Sequence, residues 1–334
     1  MDKLHSKQKI KYTVTIIGLG NIGMMYDYDN SDDNVFLSHT KSFYHHPNFE
    51  IRNLIEPDKK KLELAKKKYN GSVNFLKRID DIIEVTDVVV LASMPEVNRQ
   101  IFNKLKEIDK IRLFLIEKPF WNSSMSFAEY SDINEKCYIN YFRKSLPFFR
   151  RLRDRINKNE FGNLLGVHVI YSKGLRNNGS HIIDFINFSL DGSFDLDNPI
   201  LLSEVDDYIE GDKSLGFKID YLFNGKKAPV IFQASNEKSF SLIEMDFLLE
   251  EARFRIYDFG GKVEYYKVES DPVFPRYKNM TSKEIIDTNI NYYGYYTCTK
   301  VKDIIECRTE NDSTLKHEFE IFQLIDSVKK LANE

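Results

Sequence analysis

The sequence predicts an α/β protein: an N-terminal doubly wound parallel sheet, then an α+β domain with a large open antiparallel sheet. Three observations predict it. Short apolar runs alternate with helix-like segments over residues 1–120, the pattern of right-handed βαβ units. The runs at 87–92 and 111–116 are almost wholly apolar, as strands covered on both faces are. After about residue 150, aromatic, alternating segments take over, punctuated by Asn224-Gly225 and Gly260-Gly261, which are two-residue hairpin signals. The domain reading is therefore 1–120 and 121–334, with the last helix of the chain free to pack back on the first domain.

In order, 12–17 reads as a strand, because Val14, Ile16 and Ile17 are β-branched and a glycine turn follows at once. Residues 22–26 open a first helix. The aspartate-rich 27–33 is loop chemistry, and helical character resumes at 38–44. A strand at 49–55 ends at Glu56-Pro57-Asp58, and Pro57 suits the start of a lysine-rich helix over 59–68. A strand at 73–76, a short helix at 80–84, a strand at 87–92, a helix at 98–108 and a strand at 111–116 complete the domain. In the second domain, strands are read at 164–172, 201–208, 217–223, 230–234, 240–249, 254–259 and 262–268. Residues 177–190 and 318–331 carry helical apolar spacing.

Composition narrows the function. The chain has 334 residues, 42% apolar and 30% charged, with a net charge of −3. That gives no electrostatic case for nucleic acid. No 18-residue apolar stretch argues for a membrane helix, and the polar start carries no signal-peptide core. The cysteines are Cys137, Cys298 and Cys307, too few and too widely spaced for a disulfide framework or a zinc site. Cys298 and Cys307 could pair, but buried free thiols are the preferred reading. No metal is expected, and the location expected is cytoplasmic.

The residues that carry chemistry fall in three places. Gly18-Leu19-Gly20-Asn21-Ile22-Gly23 follows the first strand. Gly18 permits the tight bend, Gly20 lets amides approach a pyrophosphate, and Gly23 lets the following helix pack close. An acidic residue should end the second strand and bind the adenosine ribose. Glu56 is the candidate, 38 positions after Gly18 against the usual ~20, with the aspartate-rich segment as the inserted excess. Asp58 is the substitute, and Glu56 could instead simply begin the turn at Pro57. A glutamate there repels a 2′-phosphate, so NAD is favoured over NADP. Second, Glu117-Lys118-Pro119 closes a buried strand, where open α/β sheets keep their ligands. Third, Asn177-Asn178-Gly179-Ser180-His181-Ile182-Ile183-Asp184 sets His181 and Asp184 three apart. On a helix they share a face, and a carboxylate beside an imidazole orients it for proton transfer. The basic run 143–155 reads as a solvated helix face, with Arg143 itself directed inward.

This ordered set resembles the Gfo/Idh/MocA family, the group of glucose-fructose oxidoreductase and inositol dehydrogenase. The resemblance covers nearly the whole chain and is carried most specifically by Glu117-Lys118-Pro119 and by residues 179–184. It implies a Rossmann domain, a second domain whose open sheet makes homodimers or homotetramers, and an active site between the domains. It implies that Lys118 binds substrate beside the nicotinamide and that His181 is the general acid/base. Asp184, Arg143, Asn177 and Tyr171 would contact substrate or orient the site. Ser93, Met94 and Pro95 would line the cofactor, with Asn98 and Glu117 as further contacts. Two positions depart from the family pattern: Asn177 stands where an acid is common, and Asn98 where a histidine is. The expected activity is NAD-dependent hydride transfer at a secondary alcohol or ketone of a sugar, cyclitol or nucleotide-linked sugar. Two alternatives stay open: an enzyme that holds and internally recycles NAD(H), and an inactive dinucleotide-binding sensor or scaffold.

Overall fold

The computed structural model describes residues 11–82 and 84–333. The start of the chain and residue 83 of the expected 80–84 helix lie outside the described residues. By proximity the chain divides into two compact units. The first holds the residues up to Phe120, Ser126–Asn140 and Asn291–Leu315, and the second Trp121–Met125, Tyr141–Ile290 and the chain from Lys316 on. The chain thus passes between units several times, where the sequence reading has one boundary at 120/121.

The first unit is built on six parallel strands: β1 (Tyr12–Ile17), β2 (Phe49–Ile55), β3 (Asn74–Leu76), β4 (Val88–Leu91), β5 (Leu113–Ile116) and β6 (Cys137–Ile139). Their order is β3-β2-β1-β4-β5-β6, so the strand order reverses beside β1 and β4. Every residue of β4 and β5 is buried, as their unbroken apolar runs require. Helices α1 (His39–His45), α2 (Lys59–Lys68) and α3 (Pro95–Leu105) lie in the connections. The carboxyl ends align: Ile17 pairs with Ile55 and Leu91, Leu91 with Ile116, and Ile116 with Ile139. The ladder continues one residue further, through Gly18 to Ile55, Ala92 to Ile17, Glu117 to Leu91 and Asn140 to Ile116. Gly18, Ala92, Glu117 and Asn140 therefore stand in a row along one sheet edge.

One expected element is missing. The turn 18–23 does not open into a helix over 22–26; a single 3-10 turn, Met25–Asp27, follows instead. Helix propagation needs the carbonyls of Ile22 and Gly23 to accept from residues four positions on. Here they accept from the amides of His39 and Thr40, both at 2.9 Å. The first true helix is α1, capped by Ser38, whose hydroxyl accepts from the Lys41 amide. Asp58, rather than Pro57, caps α2, accepting from the amides of Lys60 and Lys61.

The second unit contains α4 (Pro147–Asn157), β7 (Leu164–Tyr171), α5 (Ser180–Ser189), β8 (Gly192–Phe194), β9 (Ile200–Val205), β10 (Ser214–Phe223), β11 (Lys226–Ala234), β12 (Ile243–Leu249), β13 (Ala252–Tyr257), β14 (Lys262–Ser270) and β15 (Lys278–Asp287). The nine strands form one sheet in the order β15-β14-β13-β12-β7-β11-β10-β8, with β9 also paired to β10. The sheet is mixed rather than wholly antiparallel, because β11 runs parallel to β7. The chain leaves β7 through α5, returns by β10, and reverses at the Asn224-Gly225 hairpin to lie beside β7 in the same direction. The link between β13 and β14 is four residues long, since Tyr257 pairs with Lys262; Gly260-Gly261 is only its second half. Phe149 of α4 meets Phe185 of α5 edge-on at 4.7 Å, and Phe185 in turn meets Phe247 of β12.

Two helices follow: α6 (Tyr293–Ile305) and α7 (Leu315–Leu331). The expected 318–331 helix is α7, which groups from Lys316 on with the second unit. It is α6, not foreseen from the sequence, that closes the first unit: Cys298, Val301 and Ile305 join the core around Val14, Phe43 and Phe49. All three cysteines are free, with Cys137 and Cys298 buried and Cys307 exposed. Burial raises the Cys137 and Cys298 thiols well above their ordinary range. A thiol reagent should therefore modify Cys307 alone in the native protein and all three cysteines in denaturant. Rapid native modification of Cys298 would contradict this packing of α6.

Candidate functional site

The first unit holds a pocket of about 680 Å³ at the carboxyl edge of its sheet, lined by Gly18, Gly20, Glu56, Ser93, Met94 and Lys77 among others. The turn beneath it needs its glycines. Gly18 sits at φ +93°, and a Cβ there would lie 2.5 Å from Ser93 Oγ and 2.8 Å from the Ala92 carbonyl. A Cβ on Gly23 would overlap the Gly18 carbonyl oxygen, whereas one on Gly20 would meet only open space. The turn is thus closed on its sheet side and open on its pocket side, as a phosphate cradle must be.

Glu56 is 6% exposed. Its Oε2 accepts from the Leu19 amide at 2.8 Å and its Oε1 from the Asp58 amide at 3.0 Å. One carboxylate therefore lines the pocket, braces the glycine turn and starts the turn at Pro57. The Leu19 side chain belongs to the core. Asn21 and Ile22 shape the turn through their carbonyls, which accept from Tyr26 and His39. Pro95 opens α3. Asn98 is buried, and its amide is used on backbone: Oδ1 accepts from Ser93 N–H, and Nδ2 donates to the carbonyls of Leu91 and Ser93. Asn98 braces the loop whose Ser93 and Met94 line the pocket. Sequence reasoning missed Lys61, Lys77 and Arg78, which put three cations on the same lining as Glu56. The run Lys77-Arg78 directly after β3 was the available signal.

At the end of β5, the Glu117 carboxylate can only accept hydrogen bonds. His39 Nε2 donates to its Oε1 at 2.7 Å and Asn140 Nδ2 donates to the same oxygen at 2.6 Å. Glu117 thus stands at a fixed point beside Lys118, whose bond to Pro119 is cis.

In the second unit, the residues before His181 form a π-helical turn, Gly174–Gly179, that runs into α5. Asp212 holds its start, accepting from the amides of Arg176 and Asn177, each at 2.9 Å. His181 is half-buried, with its ring edge-on to Tyr141 at 5.4 Å and beside Phe142 at 5.6 Å. Asp184 pairs through Oδ1 with Lys144 Nζ at 2.6 Å, and both side chains are at most 3% exposed. The sequence reading had Asp184 beside His181; Lys144 is the partner it missed. Arg143 is buried, and its Nε and Nη2 donate to the Phe259 carbonyl at 3.0 and 2.7 Å. Its Nη1 has no hydrogen-bond partner. Burial lowers its pKa to about 10, partly opposed by Asp184, so it stays charged at neutral pH. Tyr171 is fully buried, and its hydroxyl donates to the Leu215 carbonyl and accepts from the Leu215 amide. That hydroxyl is used within the sheet, where it ties β7 to β10.

No protein-family model matches the sequence, and no curated protein matches it. Solved structures do match. The super-repressor mutant of Gal80p from Saccharomyces cerevisiae is 12% identical, with a TM-score of 0.69 over 97% of each chain. An oxidoreductase from Agrobacterium radiobacter, in complex with NAD+, L-tartaric acid and magnesium, is 12% identical, with a TM-score of 0.68 over 97% of each chain. KijD10, a 3-ketoreductase from Actinomadura kijaniata in complex with NADP, is 10% identical, with a TM-score of 0.66 over 96% of this chain and 97% of its own. The chain shares the fold of these proteins over nearly its whole length, as the sequence resemblance leads one to expect.

The Lys144–Asp184 pair yields a stability prediction. Removing one partner of a buried pair typically costs about 3–5 kcal/mol, whereas replacing both with apolar residues is often neutral. Lys144→Met should lower unfolding stability by that amount, and Lys144→Met with Asp184→Leu should regain most of it in urea titrations. Equal losses in the single and double variants would contradict the pairing.

Proposed function

We propose that this protein is an NAD-dependent oxidoreductase acting on a secondary alcohol or ketone of a sugar, cyclitol or nucleotide-linked sugar. The observation that carries the reading is the pocket over the glycine turn, walled by Gly18, Gly20, Glu56 and Ser93. It would take the dinucleotide, with the turn at the pyrophosphate and Glu56 toward the adenosine ribose. The bound nicotinamide would supply the hydride acceptor or donor. His181 takes the substrate hydroxyl proton on a ring nitrogen in oxidation and returns it in reduction. Lys118 Nζ donates to the substrate oxygen as negative charge develops there. Arg143, held on two of its nitrogens, keeps Nη1 for substrate oxygen.

Support comes from two fold neighbours, one an oxidoreductase in complex with NAD+ and one a 3-ketoreductase in complex with NADP. The neighbour Gal80p favours a second reading, a dinucleotide-binding sensor or scaffold without turnover. Asn177, which cannot titrate, points the same way. Assembly as a homodimer or homotetramer through the large sheet and a cytoplasmic location belong to the leading proposal. Exposed Ile200 and Leu202 on β9 offer apolar surface for such assembly. Among the described residues, no helix is long and apolar enough to cross a membrane.

Titration with NADH and NADPH, followed by nicotinamide fluorescence, is the first test. NADH should bind more tightly than NADPH, and nucleotide released on denaturation would indicate internal recycling. Lys118→Ala should retain NADH binding and lose about 10²-fold in turnover with the sugar substrate found by screening. Failure of the wild-type protein to bind either nucleotide would overturn the reading. Binding without turnover on any alcohol or ketone would transfer it to the sensor.

A further inference from the structure

The aspartate-rich excursion after the glycine turn has a defined end. Asp27, 1% exposed, accepts from the amides of Leu37 and Ser38 at 2.6 and 3.1 Å and from the Ser38 hydroxyl. Lys41 Nζ donates to the carbonyls of Asn30 and Asp32 at 3.0 and 2.8 Å. The excursion is thereby closed on itself, and its outgoing end is α1. The first two amides of α1 bond to the glycine turn, His39 to the Ile22 carbonyl and Thr40 to that of Gly23. The His39 ring reaches Glu117. One residue therefore touches the turn beneath the pocket through its backbone and the Glu117-Lys118 corner through its side chain.

We propose that His39 is a positioning residue for Lys118: its imidazole fixes the Glu117 carboxylate, and the fixed carboxylate sets where the neighbouring ammonium stands. The proposal rests on the reading of Lys118 given above. Its physical basis is local. The Glu117 amide still bonds to the Leu91 carbonyl, one residue beyond the end of β5, so Lys118 is the next residue of the chain after a backbone held on the sheet. With its side chain held by two donors on one oxygen and its amide held on the sheet, Glu117 is anchored at both ends, and Lys118 is bonded directly to it. Side-chain exposure of 5% for His39 and 14% for Glu117 keeps water from replacing the bond, and bonds to an ionised group are the stronger kind. A misplacement of about 1 Å at a reacting group can cost ~10²-fold in rate.

The test compares the full-length wild type with His39→Leu and with His39→Gln, which keeps an N–H donor. Acetic anhydride labelling with mass spectrometry reads the acetylation rate of Lys118, with surface Lys59 as internal control, and NADH fluorescence reads the cofactor pocket. The expected result is a several-fold change at Lys118 alone in His39→Leu, return to the wild-type rate in His39→Gln, and NADH affinity changed by less than about threefold. If His39→Leu does not fold, Asn140→Leu removes the other donor and carries the same comparison. An unchanged Lys118 rate overturns the proposal. So does a parallel rise at Lys118 and Lys59 together with weakened NADH binding, which marks general loosening. If the wild type binds no NADH, the oxidoreductase reading falls, while the labelling comparison still decides whether His39 places Lys118.

Discussion

The first unit depends on one close approach of backbones at the corner where β1 ends. Gly18 lies against Ala92 and Ser93, and Gly23 lies against the Gly18 carbonyl, with no space for a Cβ at either position. That contact brings the ends of β1 and β4 together and leaves the Gly20 face open. Other bonds then assemble around it. Glu56 ties the Leu19 amide to the end of β2, Asn98 ties the β4 loop to α3, and His39 and Thr40 take the turn's last carbonyls. Because those carbonyls are taken, no helix grows directly from the turn. The helix macrodipole acts mainly within the first and last turns. On the proposed reading, an anion over this turn would be held chiefly by nearby amides, and α1, bonded to the turn through His39 and Thr40, would serve more as a brace than as an electrostatic partner.

The second unit places its charges differently. Lys144, Asp184 and Arg143 are all nearly inaccessible, and two of Arg143's nitrogens are satisfied by a single carbonyl. Burying such groups is costly, and an apolar replacement often serves stability as well or better. On the proposed reading, their burial close to α5, which carries His181, would serve the site rather than stability. Asp212 holds the turn that leads into α5, and Tyr171 ties β7 to β10, so the helix carrying the half-buried imidazole starts from a braced segment.

The strands of the first sheet were legible in sequence because burial on both faces leaves an unbroken apolar signature, seen at Val88–Leu91 and Leu113–Ile116. The glycine turn was legible because steric exclusion selects glycine at Gly18 and Gly23. What escaped depended on tertiary partners. β6 is three residues long and is made a strand by pairing with β5. α6 begins in a tyrosine-rich segment whose helicity depends on the core it completes. β15 is a polar edge strand set by pairing with β14. Lys118, His181 and Arg143, the residues of the proposed mechanism, could be named from local motifs. The partners that hold their neighbours, His39 for Glu117 and Lys144 for Asp184, come from segments 78 and 40 positions away, and no local pattern encodes them.

On the proposed reading, the Glu56 end of the pocket would take the adenosine, and one residue there would set specificity. A lone carboxylate at the end of β2 repels a 2′-phosphate, which is the basis for expecting NAD. Here the Glu56 carboxylate accepts from two backbone amides, so its charge is anchored against the turn. Lys61, Lys77 and Arg78 stand on the same lining, and Arg78 is itself paired with Asp81 at 3.2 Å. Specificity is a difference between two affinities, and it requires a repulsive element against the wrong ligand as well as contacts to the right one. On that reading Glu56 would supply the repulsion, and Lys61, Lys77 and Arg78 would oppose it. The discrimination between the two nucleotides should therefore be weaker than a glutamate facing an otherwise neutral rim would give. Removing Lys77 should sharpen it, whereas removing Glu56 would also release the Leu19 amide and loosen the turn on which both cofactors depend.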